Sequence, residues 1–277
     1  MLLEDISVGY ALPQMPNTIS VGDLVARPLV KALPLELEDF LSASEDGVIL
    51  VSFGSWFDFT VADVRKLCDA FTDRRNRLRV IWKTKEANVC PNNDGRIKVM
   101  RWIPLNELLA DPRVQILITH AGQITVIQSV YHAKPFIAFP LFGDQPTNAA
   151  AAESKGFAIS MDISDFTSDM LLSNIEKVLN DSTYKCNAHL ASAILRDRPD
   201  TAAQRVSAMI NHVIKYGDRH LRTGAFELST VEYFMFDIFA VLLLAGVIVL
   251  LMVVTMYYCV CRACCGRWLP PKKTKTE

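Results

Sequence analysis

An excess of positive charge is the first thing this sequence lacks: 29 lysines and arginines stand against 30 aspartates and glutamates, a formal net charge of −1 over 277 residues. Nucleic-acid binding needs a basic surface to neutralise phosphates, so no nucleic-acid partner is expected. Glycine is sparse at 12 residues, and no G-x-G-x-x-G run occurs, which leaves a dinucleotide site of that type without support. Internal repeats and low-complexity segments are absent too. The opening MLLEDISVGYALPQMP lacks the basic start and apolar run of a secretory signal. Either an upstream segment is expected, or a C-terminal anchor inserts by an unusual route.

Cysteine is unevenly spread. Of seven, Cys259, Cys261, Cys264 and Cys265 crowd one stretch, leaving Cys68, Cys90 and Cys186, an odd number that cannot pair fully. No disulfide framework is expected. For the crowded four, palmitoylation and metal binding are the functional readings and plain interfacial cysteines the simpler one, because the spacing suits zinc poorly.

One long apolar run is present. IFAVLLLAGVIVLLMVVTMYY, from Ile238 to Tyr258, holds no charge over about 21 residues, enough at about 1.5 Å per residue to cross a hydrocarbon core of about 30 Å. It predicts a transmembrane helix over 237–258, with Tyr233, Tyr257 and Tyr258 at its interfaces. Arg262, Arg267, Lys272, Lys273 and Lys275 follow the run, whereas Glu227, Glu232 and Asp237 precede it. The positive-inside rule then makes the tail over 259–277 cytosolic and the large N-terminal part luminal. Lys275 and Lys273, third and fifth from the end, have the spacing of a dibasic retrieval signal of the endoplasmic reticulum; a solvated basic tail explains them equally well. Asn180-Asp181-Ser182 is a glycosylation sequon, which agrees with a luminal address.

Between the termini, strand-like and helix-like stretches alternate. GVILVSFGS, LRVIWK, RIKVMRW, VQILITH and PFIAFP read as strands; VADVRKLCDAF, LNELLADP, GQITVIQSVYHA and TNAAAAESKG read as helices, the last stopped at Gly156. Such alternation predicts a parallel sheet covered on both faces, with ligands in the crevice at the carboxyl ends of the strands. After Phe157 the strands are expected to give out, and three helical stretches follow to Tyr216. The expected organisation is an entry segment over 1–45, the α/β domain over 46–216, a juxtamembrane segment over 217–236, the span and the tail.

In LITHAGQITV, His120 closes a strand and Gly122 opens a helix. Free N–H groups at a helix N-terminus favour an anion such as a pyrophosphate, to which His120 adds a donor; a capping or structural histidine is the alternative. His132 reads as satisfied packing, and His189, His212 and His220 receive no role.

The stretch RWIPLNELLADPRVQILITHAGQITVIQSVYHAKPFIAFPLFGDQPTNA, Arg101 to Ala149, resembles the signature segment of the UDP-glycosyltransferases, in particular the membrane-bound animal enzymes that include the UDP-glucuronosyltransferases. The resemblance runs from MPNTISVGDL through the lysine tail. It implies the Rossmann-like donor-binding domain of a GT-B glycosyltransferase, followed by a C-terminal transmembrane helix. It also assigns roles: Trp102 stacks on the uracil, His120 and Gly122 meet the diphosphate, Ser55 lies near the phosphates, Gln128 faces the ribose, and Asp144 with Gln145 hold sugar hydroxyls.

The chain departs from the family pattern at Ala121 in place of glycine, Ile124 in place of asparagine, Gln128 in place of glutamate and Leu105 in place of glutamine. Isoleucine cannot donate to a phosphate, and losing one charge-assisted hydrogen bond costs about 1.5–3 kcal/mol. The resemblance further implies that the acceptor pocket and the catalytic histidine belong to an N-terminal domain, so no catalytic residue is named in this chain. No metal and no resident cofactor is expected, the UDP-sugar being a co-substrate.

Two functional readings follow. One is the donor-binding, membrane-anchoring half of an inverting transferase that moves a hexosyl or glucuronosyl group from a UDP-sugar to a small lipophilic acceptor. The other is a non-catalytic protein of the endoplasmic reticulum membrane that binds UDP-sugar weakly or associates in homo- or hetero-oligomers with full-length transferases.

Overall fold

The computed structural model describes residues 5–15, 17–26, 31–54, 59–86, 89–90 and 94–266. Two units divide at Tyr216 and Gly217.

The first unit is built on strands β1 (Val48–Ser52), β2 (Arg79–Lys83), β3 (Ile97–Met100), β4 (Val114–Thr119), β5 (Phe136–Ala138) and β6 (Ala158–Ser160). They form one parallel sheet in the order β3-β2-β1-β4-β5-β6. A sheet buried on both faces needs strands apolar on both faces, and β1 satisfies this residue by residue. Val48 and Leu50 enter one core while Ile49 and Val51 enter the other, and all four are fully buried. Side chains alternating along a strand produce this division.

The helices α1 (Leu35–Ser42), α3 (Leu105–Ala110), α4 (Gln123–Tyr131), α5 (Gln145–Ser154) and α7 (Ser182–Arg196) supply apolar residues to the first core. The second is closed by α2 (Val61–Thr72) and α6 (Ser168–Asn180) through Leu67, Phe71, Leu171 and Ile175. Hydroxyl caps start both of these: Thr60 Oγ1 accepts from Asp63 N at 3.2 Å and Thr167 Oγ1 from Met170 N at 3.2 Å. Such caps are worth about 1 kcal/mol each.

Two expectations are corrected. Strands do not give out after Phe157, because β6 pairs with β5 at the edge of the sheet. Its three residues are too few to show a period. Gly156, at φ +73°, ends α5 in a left-handed turn, with Gly156 N bonded to Glu153 O and Phe157 N to Ala152 O, and this turn aims the chain back along the sheet. The second correction concerns cysteine. Cys68 of α2 and Cys90 of the β2–β3 connection form a disulfide, and Cys186 is the exposed thiol left over on α7. The odd count was accommodated by leaving one cysteine out of the bridge.

The N-terminal segment packs against the domain rather than trailing from it. Asp5 pairs with Arg198 and Asp23 with Arg205, the latter residue on α8 (Ala202–Tyr216). Gln128 Nε2 donates to Val25 O at 2.9 Å, and Val8, Val21 and Ala26 are buried.

Ala133 gives a direct stability prediction. It follows the last turn of α4 at φ +53°, with Ala133 N bonded to Val130 O and Lys134 N to Ser129 O, the turn in which glycine is favoured. An L-residue in the left-handed region carries a steric cost of about 1–2 kcal/mol, partly offset by the lower unfolded-state entropy of alanine. Ala133→Gly is therefore expected to stabilise the protein by about 0.5–1 kcal/mol, read as a higher midpoint in urea unfolding; a lower midpoint would refute it.

The second unit holds α9 (Thr230–Tyr233) and α10 (Phe236–Gly266). From Phe236 to Ala263 the helix, 28 residues, is long and apolar enough to cross a membrane, and none of the side chains in that stretch is buried within the protein. Leu, Ile and Val around the whole circumference leave α10 with no polar stripe to face water, which is the composition of a helix solvated by lipid.

Candidate functional site

Strand order reverses between β1 and β4, and in open α/β sheets the ligand crevice lies outside the carboxyl ends of the strands at that point. The register places Ser52, Lys83 and Thr119 side by side as the last residues of β1, β2 and β4. Gly54 follows the first of these and His120 the last. His120 and Gly54 are thereby neighbours.

The imidazole of His120 is confined by two glycines. A Cβ on Gly122 would lie 2.6 Å from Nε2, and one on Gly54, which has φ +75°, would lie 3.2 Å from Cε1. Both positions need glycine for the ring to stand where it does. Nδ1 is 3.3 Å from Thr119 Oγ1. Burial pushes the His120 pKa below its ordinary value, with Lys83 adding to the effect, while the Ser52 carbonyl and Asp144 oppose it. The lowered pKa favours the uncharged ring, whose single N–H is shared between the Ser52 carbonyl and any acceptor at the mouth of the sheet.

Gly122 is the N-cap of α4, with no side chain capping the helix, so the positive end of its dipole opens beside His120. Beside this lies a cavity of about 90 Å³ bordered by Phe53, Gly54, Lys83, Lys85 and Arg101. Three cations, a neutral histidine donor and a helix N-terminus make this corner favourable to an anion. The sequence reading missed Lys83, whose signal was available: it is the last residue of a strand that must end level with Ser52.

The other expected residues fall as follows. Trp102 comes two residues after β3 and is 68% exposed, so its indole face is open to a planar ligand. Asp144, the N-cap residue of α5, is exposed, and its Oδ2 accepts from Asn148 Nδ2 at 2.8 Å. Asn148 also donates to Ala121 O at 3.0 Å, tying the Asp144 loop to the His120 turn. Asn148 was not singled out in the sequence; only the return of α5 to the mouth of the sheet reveals its part.

Gln145 is buried, with Oε1 accepting from Leu141 N at 2.9 Å and Phe142 N at 3.2 Å, so its oxygen shapes the loop. Gln128 spends its amide N–H on Val25. Ala121 sits at φ +62° in the turn where the family pattern has glycine. Ile124, in the first turn of α4, is 50% exposed beside the anion corner. Ser55, Lys273 and Lys275 lie outside the described residues. Asn180 is the exposed last residue of α6.

His132 is structural in this fold. Its Nε2 lies 3.0 Å from Asn106 Oδ1, and burial, with Arg196 and Lys134 nearby, pushes its pKa down to about 4. The unfolded value is about 6.5. The unfolded chain therefore binds the extra proton first, and the stability contributed by neutral His132 is complete above pH 6.5 and lost as pH falls toward 4. The loss is of the order of 2–3 kcal/mol. The slope of unfolding free energy between pH 6.5 and 4.5 should be visibly flatter in His132→Gln than in the parent; equal slopes would count against this account.

A parallel sheet whose strand order reverses in this way, with helices on both faces, is a domain of the Rossmann-like class, the architecture of one half of the GT-B glycosyltransferases. Residues 1–271 match the family described as UDP-glucoronosyl and UDP-glucosyl transferase, and the chain belongs to that family. It is 33% identical to UDP-glucuronosyltransferase 3A1 of Bos taurus over 249 residues, covering 86% of this chain and 46% of that protein. Against 2-hydroxyacylsphingosine 1-beta-galactosyltransferase of Mus musculus it is 32% identical over 254 residues, 90% of this chain and 46% of that protein. The chain thus spans about half the length of these relatives. Among solved structures, Os79 from O. sativa in complex with UDP superposes with a TM-score of 0.58 at 19% identity, over 66% of this chain and 45% of that one. The glycotransferase of kitacinnamycin superposes with a TM-score of 0.55 at 19% identity, over 68% and 46%. These likenesses establish the fold.

Proposed function

We propose that this chain is the donor-binding and membrane-anchoring half of a UDP-glycosyltransferase, acting in the endoplasmic reticulum membrane with its α/β unit in the lumen. The observation that carries the reading is His120, held by Gly54 and Gly122 at the start of α4. The leaving UDP places its diphosphate on that helix N-terminus, where the N–H of His120 and the charge of Lys83 stabilise the negative charge that grows as the glycosidic bond breaks. Trp102 supports the uracil, and Asp144 accepts from sugar hydroxyls. The hexosyl or glucuronosyl group passes with inversion to a hydroxyl of a small lipophilic acceptor, whose pocket and general base the family carries on its N-terminal domain. The Cys68–Cys90 bridge supports the luminal address, because disulfides persist in oxidising compartments. Asn180, exposed beside Ser182, is proposed as the glycosylated asparagine and Lys273 with Lys275 as the retrieval signal.

Titration calorimetry of the full chain in detergent with UDP-glucose and UDP-glucuronate tests the donor site. Saturable binding of either supports it. The absence of binding to both favours the second reading, a non-catalytic partner of full-length transferases. That reading has a structural observation of its own: Gln128 and the oxygen of Gln145 are committed to Val25 and to the 141–142 backbone rather than open to a ligand.

A further inference from the structure

We infer that the segment from Phe226 to Phe236 is a second membrane contact: it lies in the lipid headgroup region and fixes the depth of α10 with a folded aromatic corner. This rests on reading α10 as a membrane span. The apolar residues of this segment outnumber what a solvated stalk would carry. Phe226 is 78% exposed, and Leu228, Val231, Tyr233, Phe234 and Met235 are exposed as well. A water-facing linker of this composition would leave a contiguous apolar patch, which soluble surfaces avoid.

The segment is nevertheless ordered. Residues Gly224–Glu227 make a 3-10 turn, and Ser229 and Glu232 then form a capping box, Glu232 N bonding to Ser229 Oγ at 3.3 Å and Ser229 N to Glu232 Oε2 at 2.8 Å. After α9, Met235 at φ +55° turns the chain into α10, and the rings of Phe234 and Phe236 stack across the corner with centroids 5.6 Å apart. Tyr233 meets Phe234 edge-on at 5.1 Å.

Two features suit this corner to the lipid boundary. Many of its backbone donors are met internally: Phe226 N bonds to Thr223 O, Leu228 N to Ala225 O, Tyr233 N to Ser229 O, Phe234 N to Thr230 O and Met235 N to Glu232 O. Each N–H paired within the segment loses little on leaving water, whereas an unpaired donor costs several kcal/mol in lipid, so partial pairing suits the headgroup level rather than the hydrocarbon core. The acidic groups Glu227, Glu232 and Asp237 bound the depth, since carboxylates are costly in the hydrocarbon core but tolerated among headgroups. Tyr233 has the amphipathic ring that concentrates at that level, and phenylalanine and leucine are the side chains that interfacial segments bury at the headgroup boundary. Continuity with α10 makes lipid the occupant of the exposed face, because Phe236 is both the last residue of the corner and the first of the span.

The test is depth-resolved quenching of the full chain in phosphatidylcholine vesicles brominated at defined acyl positions. The readout is the emission that Phe226→Trp adds over the parent, with Val247→Trp at mid-span as the control. The expected result is loss of the added emission at position 226 with bromine near the carbonyl end, about 5–10 Å below the surface, and little loss with bromine near the terminal methyl. Position 247 should show the reverse. Quenching at 247 but not at 226 overturns the inference and leaves the span intact. Quenching at neither position overturns the span and the inference together.

Discussion

Replacing Cys68 and Cys90 together by serine will lower the unfolding free energy by about 3 kcal/mol. The bridge joins residues separated by 22 positions, and closing a loop of that length in the unfolded chain removes conformational entropy worth about 3 kcal/mol at 25 °C. For a unit of this size the midpoint of thermal unfolding should fall by roughly 6–12 °C. Trp82 is a suitable reporter: it is fully buried, with Phe71 of α2 edge-on at 5.7 Å. Unfolding followed by its fluorescence should show the same drop in the parent after reduction as in the double variant. A competing restraint sets the lower bound. Arg96, on the far side of the same connection, donates to Thr72 O at 2.5 Å and Asn76 O at 3.0 Å, and so also ties the approach to β3 onto the end of α2. A drop below about 1 kcal/mol would mean that these hydrogen bonds already order the connection in the absence of the bridge.

The contrast between that bridge and the sheet shows what could be read in advance. The strands β1, β2 and β4 carry the apolar runs VILV, VIW and ILI, buried on both faces, so composition alone announces them. The crevice at the reversal point and the place of His120 follow from strand order and need no side-chain detail. β6 was illegible because three residues carry no period, and its pairing depends on the left-handed turn at Gly156. The disulfide was illegible because pairing is decided by where α2 packs, and three cysteines allow three pairings. The partner of Gln128 was hidden for a related reason: Val25 is 103 positions away, brought under α4 by pairs such as Asp23 with Arg205. Local chemistry was legible in the sequence, and long-range hydrogen bonds were not.

The same distinction directs the second large effect, on donor affinity. His120→Ala is expected to weaken UDP-glucose binding by about 10–150-fold, the equivalent of one hydrogen bond to a charged group, about 1.5–3 kcal/mol. The geometry makes the loss clean, since the ring rests between two glycines whose backbones need not move when it is removed. Ile124→Asn tests the complementary side of the corner. Ile124 is half exposed in the first turn of α4, so an amide there replaces apolar surface without unpacking the core, and it should recover a donor toward the diphosphate worth up to about tenfold in affinity. The pH dependence separates this mechanism from a passive one. Burial holds the His120 pKa low in the free protein, and a bound diphosphate favours the protonated ring, so binding takes up a proton and affinity should rise as pH falls into the acid range. UDP-glucose is the ligand of choice because its diphosphate is doubly esterified and does not itself titrate in the weakly acid range. His120→Ala should abolish that rise. If the variant keeps both the affinity and the pH slope of the parent, the diphosphate does not sit at the head of α4.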